Sequence, residues 1–534
     1  MPALKKIRVT LFLIPALALA FIAGHMAASA QTNPDSLAEI DHFVQEKIKA
    51  EHIPGVAVVI TQGNEIIYSK GFGVASLRNP SPVTPHTVFD LASCSKSFTA
   101  LAVMLLKEDG LIDLDRPVRD YLPAFQVADP EAAEKITVRQ LLNHTSGLPG
   151  AFSEPSAFYS GPQAMERLVA TMPKVRLDRE SGSSFEYSDL NYCLLGALIE
   201  KVSRVSFEEY VEQRIFLPLG MKYTTLYPDE ASSLERADGH QLMFGRVVTR
   251  NIPIYRSAAP AGWVMSCAED MGRWLLLYLN EGRSGNRQVV SAEAIREMLT
   301  PGVFFTLDRE AVGYGMGWFT GTINGLHAVW HGGDTPNFTA MMIMIPDQKL
   351  GIATLVNSQN SAAAHEIAPS IASLLLEKEF KLPAAPWWAS WQMLDEMAIA
   401  AAVLALVLIL ALIIYVSWLW RQLRHYRHTI ISAQSISRPR LTAKQIVLSM
   451  MPLIVLGTAV FVISIVAQTL VSYDPYQTLI LFRMLSPPGV WLAGMIILAV
   501  IGLWMISLTG LILLKISSSP PTSRQRGAIN ENHS

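Results

Sequence analysis

The sequence is poor in cysteine, in net charge and in motifs that bind metals or phosphates. Its 534 residues include only three cysteines, Cys94, Cys193 and Cys267; this odd, scattered set argues against a disulfide framework and favours small buried side chains. The 43 Lys and Arg nearly balance the 45 Asp and Glu, which disfavours nucleic acid as a partner. The twelve histidines show neither His-Glu-x-x-His nor paired His/Cys spacing, so we predict no metal and no cofactor.

The segment Ser93-Cys94-Ser95-Lys96 is the most informative part of the chain. A serine three residues before a lysine in a helix lies on the same face, so the Lys96 amine can reach the Ser93 hydroxyl. The run from Phe98 to Leu106 has helical apolar spacing, with Ser93 placed to cap it and Gly110 placed to end it. We interpret Ser93 as a nucleophile and Lys96 as its base. The alternative is a capping serine beside a surface lysine.

Three further segments occur in order along the chain: Ile136 to Pro149, Phe185 to Gly196, and His331 to Gly333. Together with the first, they strongly resemble the serine β-lactamase-like superfamily, which includes class C β-lactamases, DD-peptidases, D-aminopeptidases and related esterases. In that family Ser-x-x-Lys precedes Tyr-x-Asn and then Lys-Thr-Gly or His-x-Gly. The resemblance covers roughly residues 35 to 380.

The resemblance implies catalytic roles for Ser93, Lys96 and Tyr187. Ser93 attacks the substrate carbonyl to form an acyl-enzyme, Lys96 accepts or relays its proton, and Tyr187 completes the base system. A phenol has an ordinary pKa of about 10, so Tyr187 acts as a base only if a cation such as Lys96 favours its phenolate.

The resemblance also implies substrate-binding roles for Asp189 and for the segment His331-Gly332-Gly333-Asp334. Asp189 departs from the asparagine of the family: a carboxylate cannot donate to a substrate carbonyl unless it is protonated, or unless Asn191 takes over this role. His331 replaces a lysine and is largely neutral near pH 7, which weakens the case for carboxylate-bearing substrates.

The glycines of this segment let a substrate backbone lie close to a strand. By family analogy, Asp334 supplies the second oxyanion N–H beside that of Ser93.

The string His144 to Pro149 is the most recognisable family segment. It is typical of a helix stop and tight turn, which is a structural role with no chemistry of its own.

The N-terminus has the composition of a secretory leader. Lys5, Lys6 and Arg8 precede the apolar run Leu11 to Ala23, and Ala28-Ser29-Ala30 offers a cleavage site before Gln31. An uncleaved signal anchor is the alternative, and in both cases the hydrolase region is exported.

Three apolar stretches lie beyond the globular region, at about Met397 to Trp420, Ile446 to Leu470 and Val490 to Leu514. Each reaches the ~20 residues needed to cross a bilayer. The loop after the first stretch holds six basic and no acidic side chains, so the positive-inside rule places it in the cytoplasm and the hydrolase region outside.

These boundaries divide the chain into a signal peptide (1–30), a hydrolase domain (31–385), three transmembrane helices (386–516) and a cytoplasmic tail (517–534). We predict a β-lactamase/DD-peptidase-like α/β (α+β) fold, with an antiparallel sheet flanked by helices and a helical lobe. Hairpins at residues 57–68 and 338–356 bring both ends into the sheet, and Leu374 to Phe380 forms a closing helix. The domain carries 30 basic against 41 acidic side chains, a net charge of −11.

The predicted protein is a membrane-anchored extracytoplasmic serine hydrolase that cleaves amides or esters through a Ser93 acyl-enzyme. Its predicted partners are the membrane and a small-molecule or peptide substrate: D-residue peptides, β-lactams or esters. The alternative is a penicillin-binding or ligand-sensing membrane protein with little turnover.

Overall fold

The two ends of the hydrolase region pair in one antiparallel sheet. The computed structural model describes residues 34–150, 158–307, 309–359, 361–383, 391–432 and Gly502. The predicted leader lies outside the described residues, and so do the second apolar stretch and, apart from Gly502, the third. The strands of the sheet are β1 (Gly55–Gln62), β2 (Glu65–Gly73), β9 (Val303–Leu307), β10 (Glu310–Tyr314), β11 (Phe319–Ile323), β12 (Leu326–Thr335), β13 (Phe338–Ile345) and β14 (Leu350–Val356).

The spatial order of this sheet is β2-β1-β14-β13-β12-β11-β10-β9. Val56 pairs with Val356 where β1 lies beside β14, so the two predicted hairpins join as expected. Gly63 has a φ of +63° in the turn between β1 and β2, a conformation that glycine adopts without strain. Three small ribbons pair β3 (Phe89–Asp90) with β6 (Met265–Ser266), β4 (His240–Met243) with β5 (Arg246–Thr249), and β7 (Arg283–Ser284) with β8 (Arg287–Gln288).

Helices cover both faces of the sheet and build a lobe beside it. They are α1 (Pro34–Ala50), α2 (Ser95–Glu108), α3 (Pro130–Lys135), α4 (Val138–Leu142), α5 (Ala164–Thr171), α6 (Asp189–Ser203), α7 (Phe207–Val211), α8 (Leu217–Leu219), α9 (Pro228–Ser233), α10 (Ala259–Gly262), α11 (Ala268–Leu279), α12 (Ala292–Leu299), α13 (Ser361–Leu376) and α14 (Trp391–Ser432). The predicted α/β fold is therefore confirmed for the hydrolase region.

Strand alternation divides the hydrophobic core between two layers. In β13, Met342 and Met344 pack towards α2, α6 and α11, whereas Met341 and Ile343 pack towards α1 and α13. Successive side chains of a strand point to opposite faces, so one apolar strand contributes to both layers. Burying each such side chain contributes roughly 1.5–3 kcal/mol, which holds the central strands rigid beside the functional residues.

The helix that comes after Ser93 differs from its prediction at one end. α2 begins at Ser95, and Ser93 lies in a short 3₁₀ turn, Ala92–Cys94, without capping the helix through its side chain. The other end agrees: Gly110, with a φ of +72°, donates to Lys107 O while Leu111 donates to Leu106 O. These two bonds form a Schellman motif. The interpretation of Ser93 as a capping serine is therefore wrong.

One helix prediction near the C-terminal end needs correction. The helix expected at Leu374 to Phe380 instead spans Ser361–Leu376 as α13; the apolar side chains Ile367 and Ile371 drive its packing on the sheet. The first apolar stretch falls within α14. In the part of the chain that the structure describes, no helix qualifies by length and hydropathy as a membrane span.

Candidate active site

A cleft opens above the Ser93 turn, between the sheet and the helical lobe, and encloses about 600 Å³ when the space open to solvent is included. Its wall is largely apolar and includes Phe158, Ile252, Pro253, Tyr255 and Trp263. Its polar groups are Ser93, Asp189, Asp334 and Thr335. An apolar cleft with a few convergent polar groups is the usual form of a small-molecule site.

The Ser93 turn is held in a strained conformation against β12. Ala92 has a φ of +50°, which is costly for a residue with a side chain. Gly333 of β12 lies so close that a Cβ added there would come within 2.9 Å of Ser93 N and 2.3 Å of Leu91 O. Backbone contact between β12 and the turn therefore requires glycine at this position.

Lys96 is fully buried and contacts Ser93, which lines the cleft. Its Nζ donates to Ser93 Oγ at 3.1 Å and to the carbonyl oxygen of Ala261 at 2.9 Å. The predicted i, i+3 contact between hydroxyl and amine is therefore present. Ala261 belongs to α10, which packs closely against α6 at Gly196. A Cβ added at Gly196 would lie 2.1 Å from Pro260 Cγ, so this close packing requires a glycine.

Tyr187 lies just before α6, next to both Lys96 and Ser93. Lys96 Nζ is 4.9 Å from the centre of its ring, and interactions with Lys96 and Ser93 act on the hydroxyl group. Burial raises the pKa of Tyr187, and the Lys96 charge, which acts in the opposite direction, does not overcome it. Tyr187 is thus a neutral phenol in this arrangement, able to pass a proton between Ser93 and Lys96.

His144 fixes the position of Tyr187, a role that the sequence did not predict. Its ring packs 4.4 Å from the Tyr187 ring, centre to centre, and its Nδ1 accepts from the Ser188 N–H at 3.1 Å. Burial and the nearby Lys96 charge lower the pKa of His144 well below its usual range, so the imidazole is neutral and can accept. The predicted turn therefore supports the site without entering the cleft.

Asp189 forms an ion pair with Lys96, with 2.5 Å between Oδ1 and Nζ. It occupies the first residue of α6, where the helix dipole favours a negative charge. Asn191, the predicted substitute amide, is fully buried and bonds to His144 and to Ser146. Because these contacts turn it away from the cleft, Asn191 cannot replace the missing amide.

His331 lies on β12, as predicted, but its side chain does not reach the cleft. It is 1% exposed, packs near Phe319 and Tyr187, and its Nδ1 contacts Gly332 O at 2.6 Å. Burial and the Lys96 charge lower the pKa of His331 to about 3. Its substrate contact therefore stays a prediction, and the side chain is not among the residues that line the cleft. Its predicted neutrality agrees with the structure.

Asp334 is the member of the segment whose side chain borders the cleft. Thr339 Oγ1 donates to its Oδ1 at 3.2 Å, and His365 Nε2 lies 3.4 Å from its Oδ2. Of the predicted residues, Ser93, Lys96, Tyr187 and Asp189 form one contact network, and Asp334 lies across the cleft. Gly332 and Gly333 shape β12 beside them.

Comparison with known proteins agrees with this geometry. A sequence profile of the beta-lactamase family, described as Beta-lactamase, matches residues 40–376. The chain belongs to the beta-lactamase family. Proteins of this family are generally serine hydrolases, so the family supports a serine nucleophile but does not fix the substrate.

Several known proteins are similar to this beta-lactamase-family chain. Protein flp of Staphylococcus aureus (strain MW2) is 29% identical over 323 residues, covering 60% of this chain and 63% of that protein. Penicillin-binding protein 4 of Amycolatopsis lactamdurans is 28% identical over 355 residues, covering 63% of this chain and 90% of that protein. The octameric penicillin-binding protein homologue from Pyrococcus abyssi superposes with a TM-score of 0.57 at 30% identity, covering 64% of this chain and 79% of that one.

The match thus spans less than two thirds of the staphylococcal relative. The similarity of this beta-lactamase-family chain to that protein is confined to the shared region.

Proposed function

We propose that the chain is a serine hydrolase that cleaves an amide or ester bond through an acyl-enzyme on Ser93. The observation that carries the proposal is the 3.1 Å contact between the buried Lys96 Nζ and the Oγ of Ser93, a residue that lines the cleft. A nucleophile within hydrogen-bond reach of a base, beside an open cleft, is the arrangement that acyl transfer requires.

In the proposed acylation, Ser93 Oγ attacks the substrate carbonyl carbon. Its proton passes to Lys96, directly or through Tyr187, and then to the leaving amine or alcohol as the bond to that group breaks. Water repeats the attack on the ester and restores Ser93. The N–H of Ser93 and, by family analogy, that of Asp334 would stabilise the oxyanion.

The charges around the cleft indicate the substrate class. Among the described residues that line it, Asp189 and Asp334 are acidic and none is Lys or Arg. His331 offers no positive charge, since burial lowers its pKa to about 3. We therefore favour neutral or amine-bearing D-residue peptides and small esters over substrates recognised by a carboxylate, with β-lactams as less favoured substrates.

One observation favours the second candidate, a penicillin-binding protein with little turnover. Lys96 is paired with Asp189 at 2.5 Å, and a protonated lysine activates the deacylating water poorly. A long-lived adduct would therefore be consistent with acylation followed by slow hydrolysis.

Labelling of the full chain tests the proposal. A fluorophosphonate and a fluorescent penicillin should each modify Ser93, and Ser93→Ala should abolish modification while Ser232→Ala, at an exposed serine bonded to Pro228 O, should not. Turnover of D-alanyl anilides or acetyl esters would then separate the hydrolase from the low-turnover candidate. Absence of labelling, with Ser93→Ala matching wild type on every substrate, would contradict both.

The location is a separate proposal that rests on the sequence. The leader composition and the basic segment at residues 421–444, whose first part belongs to α14, support an extracytoplasmic hydrolase region attached to a membrane. Carbonate extraction of membranes and protease treatment of intact cells would test attachment and side. Protection of the hydrolase region in intact cells, with cleavage after lysis, would overturn the proposed location.

A further inference from the structure

The surroundings of Lys96 determine whether it can accept a proton. Nζ donates to Ser93 Oγ at 3.1 Å and to Ala261 O at 2.9 Å. Asp189 Oδ1 lies 2.5 Å from the same nitrogen as its ion-pair partner. An ammonium in this state has no lone pair and cannot take the Ser93 proton.

Several titratable groups face the Lys96–Asp189 pair from the packed elements. They are Cys94 from the Ser93 turn, His144 after α4, Tyr187, Tyr192 and Cys193 from α6 and the segment before it, Tyr314 from β10, and His331 from β12. Burial raises the pKa of each thiol and phenol in this set and lowers the pKa of both imidazoles. All seven are therefore neutral near pH 7.

Asp189 is consequently the one anion in direct contact with Lys96 among the described residues. Burial alone lowers the pKa of Lys96, and Asp189, followed by Tyr187, reverses that effect so that the pKa lies above its ordinary value. The family carries an asparagine at this position. An uncharged asparagine would not raise the pKa of Lys96 as the Asp189 carboxylate does, so the lowering of that pKa by burial would have no full negative charge to oppose it.

We propose that Asp189 sets the protonation of Lys96 and thereby the pH at which Ser93 is acylated. The inference rests on the proposed function and adds a positioning residue to it. With Asp189 present, Lys96 stays an ammonium through neutral pH, and loss of its proton at alkaline pH releases it as the base. Asp189 thus lowers the acylation rate of Ser93 at neutral pH and shifts the rise of that rate to alkaline pH.

The test is the pH dependence of Ser93 acylation in the full chain, measured as the second-order rate of labelling by a fluorophosphonate from about pH 5 to about pH 11, a range that passes the ordinary lysine pKa of about 10.4. Each variant is normalised to its own maximum. Wild type should rise at alkaline pH. Asp189→Asn should rise about one pH unit or more lower, so that its normalised rate at pH 7 exceeds that of wild type about tenfold. Asp189→Glu, which keeps the carboxylate, should behave like wild type.

Coincident profiles for wild type and Asp189→Asn would overturn the inference, because a merely structural residue changes the rate without moving the onset. If Asp189→Asn fails to fold, the wild-type profile alone decides: an onset near pH 6 overturns the inference and an alkaline onset supports it. Absence of labelling in wild type at every pH would instead refute the proposed function.

Discussion

At the scale of single residues, two neighbouring glycines of β12 have very different surroundings. A Cβ at Gly333 would meet the backbone of the Ser93 turn, at 2.3 Å from Leu91 O. A Cβ at Gly332 would meet the His365 ring at 3.1 Å, and the His365 side chain is 29% exposed and free to shift. Only the first contact is with backbone that cannot move independently of the nucleophile.

We therefore expect Gly333→Ala to lower the rate of Ser93 labelling roughly 100-fold, because a displacement of about 1 Å at a nucleophile costs that much. Gly332→Ala should stay within roughly tenfold of wild type. Labelling kinetics with a fluorophosphonate, alongside urea unfolding of each variant, would check both values. Equal losses of labelling rate in the two variants would show that the contact between Gly333 and the Ser93 turn does not determine the reactivity of Ser93.

Residue spacing predicted some of this site and could not predict the rest. The i, i+3 rule is local, so Ser93 and Lys96 were paired correctly from the sequence. The direction of the His331 side chain depends on which face of β12 packs against Phe319 and Tyr187. The ion pair between Asp189 and Lys96 joins α6 to α2, and no pattern within either helix encodes that distance.

At the scale of elements, α14 is fastened to the β4–β5 hairpin by one buried carboxylate. Asp395 is 1% exposed, and its two oxygens accept from Phe244 N at 2.7 Å and Gly245 N at 2.6 Å. The chain after β5 runs on to Ile252 and Pro253 in the cleft wall. The contact therefore links α14 to one side of the candidate active site.

Removing this carboxylate should loosen the hairpin. In Asp395→Ala we expect amide hydrogen exchange at Phe244 and Gly245 to accelerate about tenfold, since an unsatisfied donor pair costs roughly 1–3 kcal/mol. Met397→Ala, at a side chain that is 53% exposed on the same helix, is the matched control and should leave exchange unchanged. Equal exchange in both variants would mean that α14 does not hold the hairpin.

Element prediction succeeded where strands are apolar and turns carry glycine or proline. β1, β2, β13 and β14 have these signals, and the structure confirms both hairpins. The strands β9 to β11 were missed. They are short, and β9, which is the edge strand, alternates exposed residues such as Phe304 and Thr306 with half-buried ones. The region between the two hairpins thus contains strands of the main sheet as well as the predicted helices.

At the scale of the whole molecule, negative charge predominates on the predicted hydrolase domain and in its cleft, which disfavours anionic substrates. The predicted hydrolase domain carries a net charge of −11. Within the cleft, the described lining contributes Asp189 and Asp334 and no basic side chain. Asp189 is offset by Lys96. The Asp334 carboxylate, which is 36% exposed and lies 3.4 Å from His365 Nε2, is then the acidic group that an approaching substrate meets.

This distribution predicts an order of substrate preference. Three p-nitroanilides of D-alanine that differ only at the amine, being free, acetylated or succinylated, present a positive, neutral or negative charge to the same cleft. We expect kcat/KM to fall in that order by about tenfold per step, which corresponds to about 1.4 kcal/mol between charges near a protein surface. Raising the salt concentration should compress the series, since exposed charges are screened.

Asp334→Asn separates the local from the global contribution to this order. If the Asp334 carboxylate selects the substrate, its neutral isostere should bring the free and succinylated anilides to within about threefold of each other while leaving the acetylated one least affected. If the net charge of the domain is responsible, the variant should keep the full series and only salt should compress it. If wild type turned over the succinylated substrate faster than the free-amine one, both explanations would be contradicted. That result would require a cation at the cleft, which the described lining residues do not supply.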